Sequence, residues 1–292
     1  FRRRLLSLLN LVYQAGHGEF GRNHVIRLSP ELKEELFMCL SLAPLAVTNL
    51  KVENAEHVYC SDASEWGIGV TRAPLPSWLQ GEIHRHKLRK SVWVHLLSPL
   101  KSLQRIKGVL SPAEELPEGQ MLASHPLWIV LASALRYKEV CRKAMPPGRH
   151  INILEMRGML KAEAEAAKTH FPARVFSLAD FQVALGAWVK GRSSSFGLNQ
   201  ELQQSLGIHL GCGMYSNCGY VPSEINTADD PTRGQRVRSP EAALPDVFHS
   251  AAQGDISAFD QWLESYNADT YATSGLPDLQ ELQGAPCGLS ED

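Results

Sequence analysis

The order of hydrophobic and polar residues along the chain predicts an alternation of strands and helices. Residues 57–71 are rich in strand-forming residues and predict two short strands, and residues 173–180 form another short apolar run. Residues 150–168 are dominated by helix-forming residues, and residues 214–223 return to a strand pattern. This order predicts a mixed α/β domain.

Further helices are predicted by capping residues and apolar periodicity. Residues 29–47 place Ser29 at an N-cap and Pro30 at the first helical position, a combination typical of a helix start. Three other stretches have a helical pattern, of which the first is helical or mixed: 126–140, 181–191 and 198–207. The helices therefore fall between the predicted strands.

Proline and glycine divide the chain into segments. Six prolines interrupt residues 74–126, which we interpret as an insertion in the domain. We expect three segments: a helical tail over 1–50, the α/β domain over 51–240, and a partly disordered C-terminal tail over 241–292 that contains one amphipathic piece.

Composition narrows the classes of protein. The chain has 292 residues and a net charge of -2, so nucleic-acid binding would require a local basic surface. The six cysteines include no C-x-x-C pair, which predicts free thiols in an intracellular protein, cytoplasmic or nuclear. No apolar run is long enough to cross a bilayer, so we expect no membrane partner. The first residue is not Met, and we expect a piece of a longer reading frame.

Four acidic residues stand on four separate predicted elements. Asp62 interrupts a strand, Glu155 lies near the start of a helix, Asp180 ends a strand, and Asp229 follows the last strand. Carboxylates that converge in a fold repel one another unless a cation lies between them. Mg²⁺ prefers such oxygen ligands, with Mn²⁺ as an alternative, and a pair of these ions promotes phosphodiester hydrolysis. The pattern predicts a metal site.

Four motifs surround these acids: S-D-A-S at Asp62, I-N-I-L-E at Glu155, A-D-F-Q-V-A at Asp180, and P-S-E-I-N-T-A-D-D-P-T-R at Asp229. Together they resemble the ribonuclease H domain of reverse-transcribing elements. Their order is similar to that in DIRS-like retrotransposon polyproteins. Residues 1–50 more weakly resemble the connection that follows a reverse-transcriptase polymerase domain. Phe181 departs from the family pattern, and no Y-x-D-D polymerase signature is present.

The resemblance implies a ribonuclease H-like mixed sheet flanked by helices, with a long insertion between the first acid and the glutamate-bearing helix. It implies that all four acids are catalytic and bind two Mg²⁺ ions, and that the RNA strand of an RNA:DNA hybrid is hydrolysed. A reverse-transcriptase polymerase domain is then an expected partner.

Basic residues give candidate contacts to the nucleic acid. Residues 81–110 hold seven Lys or Arg against one acid, with tryptophans nearby that could stack on bases. A second basic group follows Asp180, and the last motif adds an amide and a guanidinium. The predicted contacts are Arg85, Lys87, Arg89, Lys90, Lys190, Arg192, Asn226 and Arg233.

Two other interpretations remain open. One is a related enzyme that cuts DNA, such as a transposase, integrase or exonuclease, although the ending N-T-A-D-D-P-T-R is unlike theirs. The other is a non-catalytic, domesticated or decayed nucleic-acid-binding remnant of the same fold, which the long insertion and Phe181 favour. Fold alone cannot separate an enzyme from a remnant, because one fold can host many functions. Convergence of the four carboxylates would favour the enzyme.

Overall fold

A computed structural model of the chain describes residues 3–16, 25, 27–88, 124–146 and 148–265. The strands are β1 Glu53–Ser64, β2 Gly67–Pro74, β3 Lys138–Ala144, β4 Ala173–Ala179 and β5 Tyr215–Tyr220. The helices are α1 Asn10–Gly16, α2 Pro30–Leu42, α3 Ser77–Glu82, α4 Pro126–Ala134, α5 Ile151–Ala167, α6 Gln182–Lys190, α7 Phe196–Gln204, α8 Leu206–Gly211, α9 Asp229–Thr232, α10 Asp246–Ala252 and α11 Ser257–Glu264. Short 3-10 turns span Arg3–Leu8, Ala43–Leu45 and Ser223–Ile225.

The five strands form one mixed sheet in the order β3-β2-β1-β4-β5. Strands β1, β2 and β3 pair antiparallel, whereas β4 runs parallel to both β1 and β5. Helices cover both faces of the central strands: α3 and α4 pack on one face and α5 on the other. The predicted mixed α/β sheet flanked by helices is confirmed.

Alternate residues of the central strands build a core on each face of the sheet. Val58 and Phe176 face α3, α4, α10 and α11, where a cluster of aromatic rings forms. Tyr59 and Val175 face α5, whose alanines pack closely on the sheet. The second half of β1 and most of β4 are buried on both sides of the sheet.

The structure resolves one stretch that the sequence left ambiguous. Residues 126–140 were expected to be helical or mixed, but the helix ends at Ala134 and β3 begins at Lys138. The strand is mostly exposed at the sheet edge, so it lacks the apolar pattern by which a strand is recognised. The predicted insertion lies between β2 and β3, and it contains α3.

Both ends of the described chain pack against the sheet domain. The guanidinium of Arg4 is buried against the carboxylate of Glu163 on α5. Phe259 and Trp262 of α11 lie in the core. Division of the chain at residues 50 and 240 stays a prediction. Across the described ranges, no helix combines the length and apolarity needed to cross a membrane.

Candidate active site

Asp62 lies near the end of β1, with its side chain buried. Its partner across the antiparallel pair is Gly69 of β2. A Cβ atom on Gly69 would lie 2.6 Å from the carbonyl oxygen of Ala228, which precedes α9. The glycine therefore lets the turn that carries Asp229 approach Asp62 closely, as expected for a glycine within a strand.

Glu155 and Asp180 reach the same place from a helix and a neighbouring strand. Helix α5 lies close to β1 because Gly158 has no side chain; a Cβ there would be 3.3 Å from the backbone oxygen of Asp62. Asp180 directly follows β4, which pairs with β1 in a register that matches Cys60 with Leu178. Each of the three carboxylates offers an oxygen within 4.8 Å of the others.

The electrostatics of this carboxylate cluster, Asp62, Glu155 and Asp180, are unfavourable without a cation. Burial, followed by the charge of Asp180, raises the pKa of Asp62 to about 7. Burial and the charges of Asp62 and Asp180 raise the pKa of Glu155 to about 9. Burial also raises the pKa of Asp180, whose Oδ1 atom accepts no hydrogen bond from the described residues. These shifts are typical of carboxylates placed together for function.

Asp229 lies beside the carboxylate cluster but outside it. Its Oδ1 atom accepts a hydrogen bond from Arg233 Nε at 2.7 Å, and its side chain is partly exposed. Its charge contributes to the raised pKa of Asp62. The structure thus brings three of the four predicted acids within reach of one another, and the role of Asp229 as a ligand stays a prediction.

Other residues of the last motif hold the cluster in place. Thr232 Oγ1 lies 2.9 Å from Asp62 Oδ2, a contact that the sequence analysis missed although Thr232 stands three residues after Asp229 on one helical turn. Asp230 points away and bonds the side chain of Arg238 at 2.7 Å.

The structure corrects the prediction that the side chain of Asn226 contacts nucleic acid. Asn226 is fully buried, donates to the backbone oxygen of Ser61 at 3.1 Å, and accepts from the amide of Ala228. Both ends of its amide are used within the protein, so Asn226 connects the last motif to β1 instead of facing a ligand. A position in a motif shows that a residue matters but not whether its side chain is exposed.

The predicted basic contacts are dispersed. Arg85 donates to Glu82 at 2.9 Å, and Lys87 is exposed. Arg192 stacks on the ring of Tyr13 at 3.6 Å, two residues after Lys190 at the end of α6. Arg233 is exposed beside the carboxylate cluster. The predicted contacts Arg89 and Lys90 lie outside the described residues. Their roles in binding nucleic acid stay predictions.

Comparisons with known proteins found several solved structures of low similarity and no family. No protein-family model matches the chain, and no curated protein matches it closely enough to count as a relative. Similar solved structures include the N-terminal RNase H domain of a Mycobacterium tuberculosis protein fused to maltose binding protein, at 12% identity and TM-score 0.30, covering 62% of this chain and 99% of that chain.

Two further solved structures are similar to the chain. RNase H1 from Halobacterium salinarum has 10% identity and a TM-score of 0.28, and the match covers 59% of this chain and 88% of that one. The foamy viral protease-reverse transcriptase in complex with RNA/DNA hybrid has 11% identity and a TM-score of 0.23. The match covers 80% of this chain and 44% of that chain.

Proposed function

We propose that this chain is a metal-dependent ribonuclease that hydrolyses the RNA strand of RNA:DNA hybrids. One observation carries the proposal: three carboxylates, the buried Asp62 of β1 and Glu155 of α5 and the half-buried Asp180 at the end of β4, offer oxygens within 4.8 Å of one another. Burying mutually repelling acids costs stability, and a site that accepts this cost is typical of function. The sequence motifs support an origin in a DIRS-like retroelement polyprotein, with a polymerase domain as partner.

The carboxylate cluster fits divalent metal ions. All its donors are carboxylate oxygens, the ligands that Mg²⁺ and Mn²⁺ prefer. Burial and the charges of the neighbouring acids raise the pKa values of Asp62 and Glu155, and a divalent cation among them would offset both effects. The buried Oδ1 atom of Asp180, which accepts no hydrogen bond from the described residues, is suited to a metal ion. Asp62, Glu155 and Asp180 would hold the ions, with Asp229 as the fourth predicted ligand.

The protein's own residues would set the geometry of the reaction. Bound in a pair, such ions supply an activated water and stabilise the leaving oxygen of a phosphodiester. Thr232 fixes the carboxylate of Asp62, and the exposed guanidinium of Arg233 is placed to contact a substrate phosphate. Recognition of the hybrid would rest on its shape and on the 2′-hydroxyl groups of the RNA strand.

The test is cleavage of an end-labelled RNA:DNA hybrid by the purified chain. We expect fragments from the RNA strand in Mg²⁺ or Mn²⁺, none in EDTA, and none from duplex DNA. Glu155→Gln and Asp180→Asn should abolish cleavage and retain hybrid binding. Binding without cleavage by the parent would favour a non-catalytic remnant, and cleavage of duplex DNA would favour a DNA-cutting nuclease.

A further inference from the structure

A cavity of about 520 Å³ lies along the edge strand β5, apart from the carboxylate cluster. Its walls come from β5, the start of β4, the N-terminal turn and the chain near residues 48–50 and 84–88. Arg174 in its wall stands six residues before Asp180, which is about 20 Å along an extended strand. The cavity is therefore a separate feature of the molecule.

Cationic side chains line this β5 cavity. Arg3, Lys87 and Arg174 contribute to its walls, and none of the described residues that line it is acidic. Arg4 also lines it, but its charge is balanced by the buried carboxylate of Glu163. Arg3 and Arg174 make no ion pair with a described acid, so their guanidinium groups give the cavity a positive potential, which concentrates anions.

Backbone contacts hold two of these guanidinium groups in position. Arg174 Nη2 donates to the backbone oxygen of Leu50 at 2.7 Å, and Arg3 Nη1 donates to that of Val189 at 3.3 Å. A neutral carbonyl oxygen orients a guanidinium without cancelling its charge. Each guanidinium has five N–H donors, so most of them are left for another acceptor. The cavity is thus preorganised for an anion.

Neutral polar groups complete the cavity wall. Asn217 Nδ2 lies 2.9 Å from His84 Nδ1 and donates to it, which leaves the proton of a neutral ring on Nε2. Burial, and then the charges of Lys87 and Arg174, lower the pKa of His84 to about 4, so the ring is neutral at pH 7. His84, Lys87 and Arg174 all line this one cavity.

We propose that the β5 cavity binds a phosphate group, carried by a nucleic-acid backbone or by a free nucleotide. Guanidinium groups match the geometry of phosphate oxygens, and Lys87 adds a point charge. The volume lies in the range of small-molecule sites, so a nucleotide fits as well as a single phosphodiester. This function goes beyond the proposed cleavage, because binding phosphate requires neither the carboxylate cluster nor a hybrid.

The first test is an NMR titration of the full chain with inorganic phosphate. We expect the backbone amide signals of Asn49, Ser216 and Asn217 to shift and saturate, while that of Lys138, at the opposite edge of the sheet, stays constant. Shifts that are absent, or equal at Lys138, would overturn the proposal. The parent protein alone decides this test.

The second test uses a double variant, Lys87→Gln with Arg174→Gln, and Lys138→Gln as the matched control. We expect phosphate binding to weaken at least tenfold in the double variant and to be unchanged in the control. Equal phosphate binding by all three proteins would contradict the assignment. This test measures phosphate binding and involves no cleavage, so its outcome does not depend on whether the ribonuclease proposal is right.

Two other probes distinguish the sources of the phosphate. If the ligand is a nucleic-acid backbone, the double variant should bind an RNA:DNA hybrid with a salt slope lower by about 0.7 to 0.9 for each phosphate that Lys87 or Arg174 neutralises in the parent. If the ligand is a free nucleotide, adenosine monophosphate should bind more tightly than inorganic phosphate, and hybrid affinity should not change. If the double variant binds both the RNA:DNA hybrid and adenosine monophosphate as tightly as the parent does, both sources are refuted.

Discussion

Replacing Asp62 by Asn should stabilise the protein when metal is absent. The rise in the pKa of Asp62 from 3.8 to about 7 corresponds to about 4 kcal/mol of unfavourable free energy for the charged form. Asn keeps the shape but weakens the hydrogen bond from Thr232, which costs about 1 to 2 kcal/mol. We therefore expect a net gain of about 2 kcal/mol at pH 8, or about 4 to 8 °C in Tm.

The pH dependence of this stability difference tests whether Asp62→Asn is stabilising for the stated reason. The folded-state pKa of Asp62 lies above its unfolded value, so this group takes stability away as pH rises from about 4 to about 7. The advantage of Asp62→Asn should be absent below about pH 4 and complete above about pH 7. Urea unfolding in EDTA at pH 4, 6 and 8 measures it.

Asp230→Asn is the matched control, because Asp230 is a neighbouring buried acid in the opposite environment. Burial alone would raise the pKa of Asp230, but hydrogen bonds from Arg238 lower it overall. Its replacement should cost about 1 to 3 kcal/mol at pH 8. Mg²⁺ at one hundred times its Kd should then stabilise the parent by about 2.7 kcal/mol and leave Asp62→Asn unchanged. If Asp62→Asn destabilises the protein in EDTA as Asp230→Asn does, Asp62 is structural and the metal-site reasoning fails.

Three further predictions concern the surroundings of the site. Glu163→Gln leaves the buried charge of Arg4 without its anionic partner, so urea unfolding at pH 7 should show a loss of about 3 to 5 kcal/mol. Because the pKa of Glu163 is lowered to about 2, the difference should shrink as pH falls from about 4.5 to about 2, and a constant difference would contradict this. Gly69→Ala places a Cβ against the oxygen of Ala228, so calorimetry should show about 1 to 3 kcal/mol of destabilisation, and cleavage should slow; an unchanged Tm would mean that the contact is loose. Trp66, 77% exposed in the turn after β1, should stack on a base, and Trp66→Ala should weaken hybrid binding by about 1 kcal/mol or more in a filter-binding assay, with turnover at saturation retained.

The elements that build the carboxylate cluster could be predicted from the sequence. The strand that contains Asp62, the helix that contains Glu155 and the strand before Asp180 all have clear apolar patterns, and Ser29 caps α2 as expected, accepting from the amide of Leu32. Gly158, a small residue visible in the sequence, lets that helix lie close to β1. These features depend on local propensity and packing, which a sequence records directly.

Other features depend on contacts that a sequence does not record. Strand β3 is exposed at the sheet edge and lacks a period of two, so its pattern was ambiguous. The burial of Asn226 arises from the path of the loop after β5. The β5 cavity joins Arg3 to Arg174, which are far apart in the chain. Only the tertiary structure brings such residues together.

The parallel pairing of β1 with β4 has a consequence for how the protein folds. Matched residues such as Cys60 and Leu178 are about 120 residues apart in the chain. Closing so long a loop is slow, although its entropic cost grows only with the logarithm of its length. Asp180 cannot join Asp62 until this late step is complete, so a nascent chain has no assembled carboxylate cluster until β4 has been synthesised. Residues inserted between β2 and β3 lengthen a loop that is already long, and they add little to that cost.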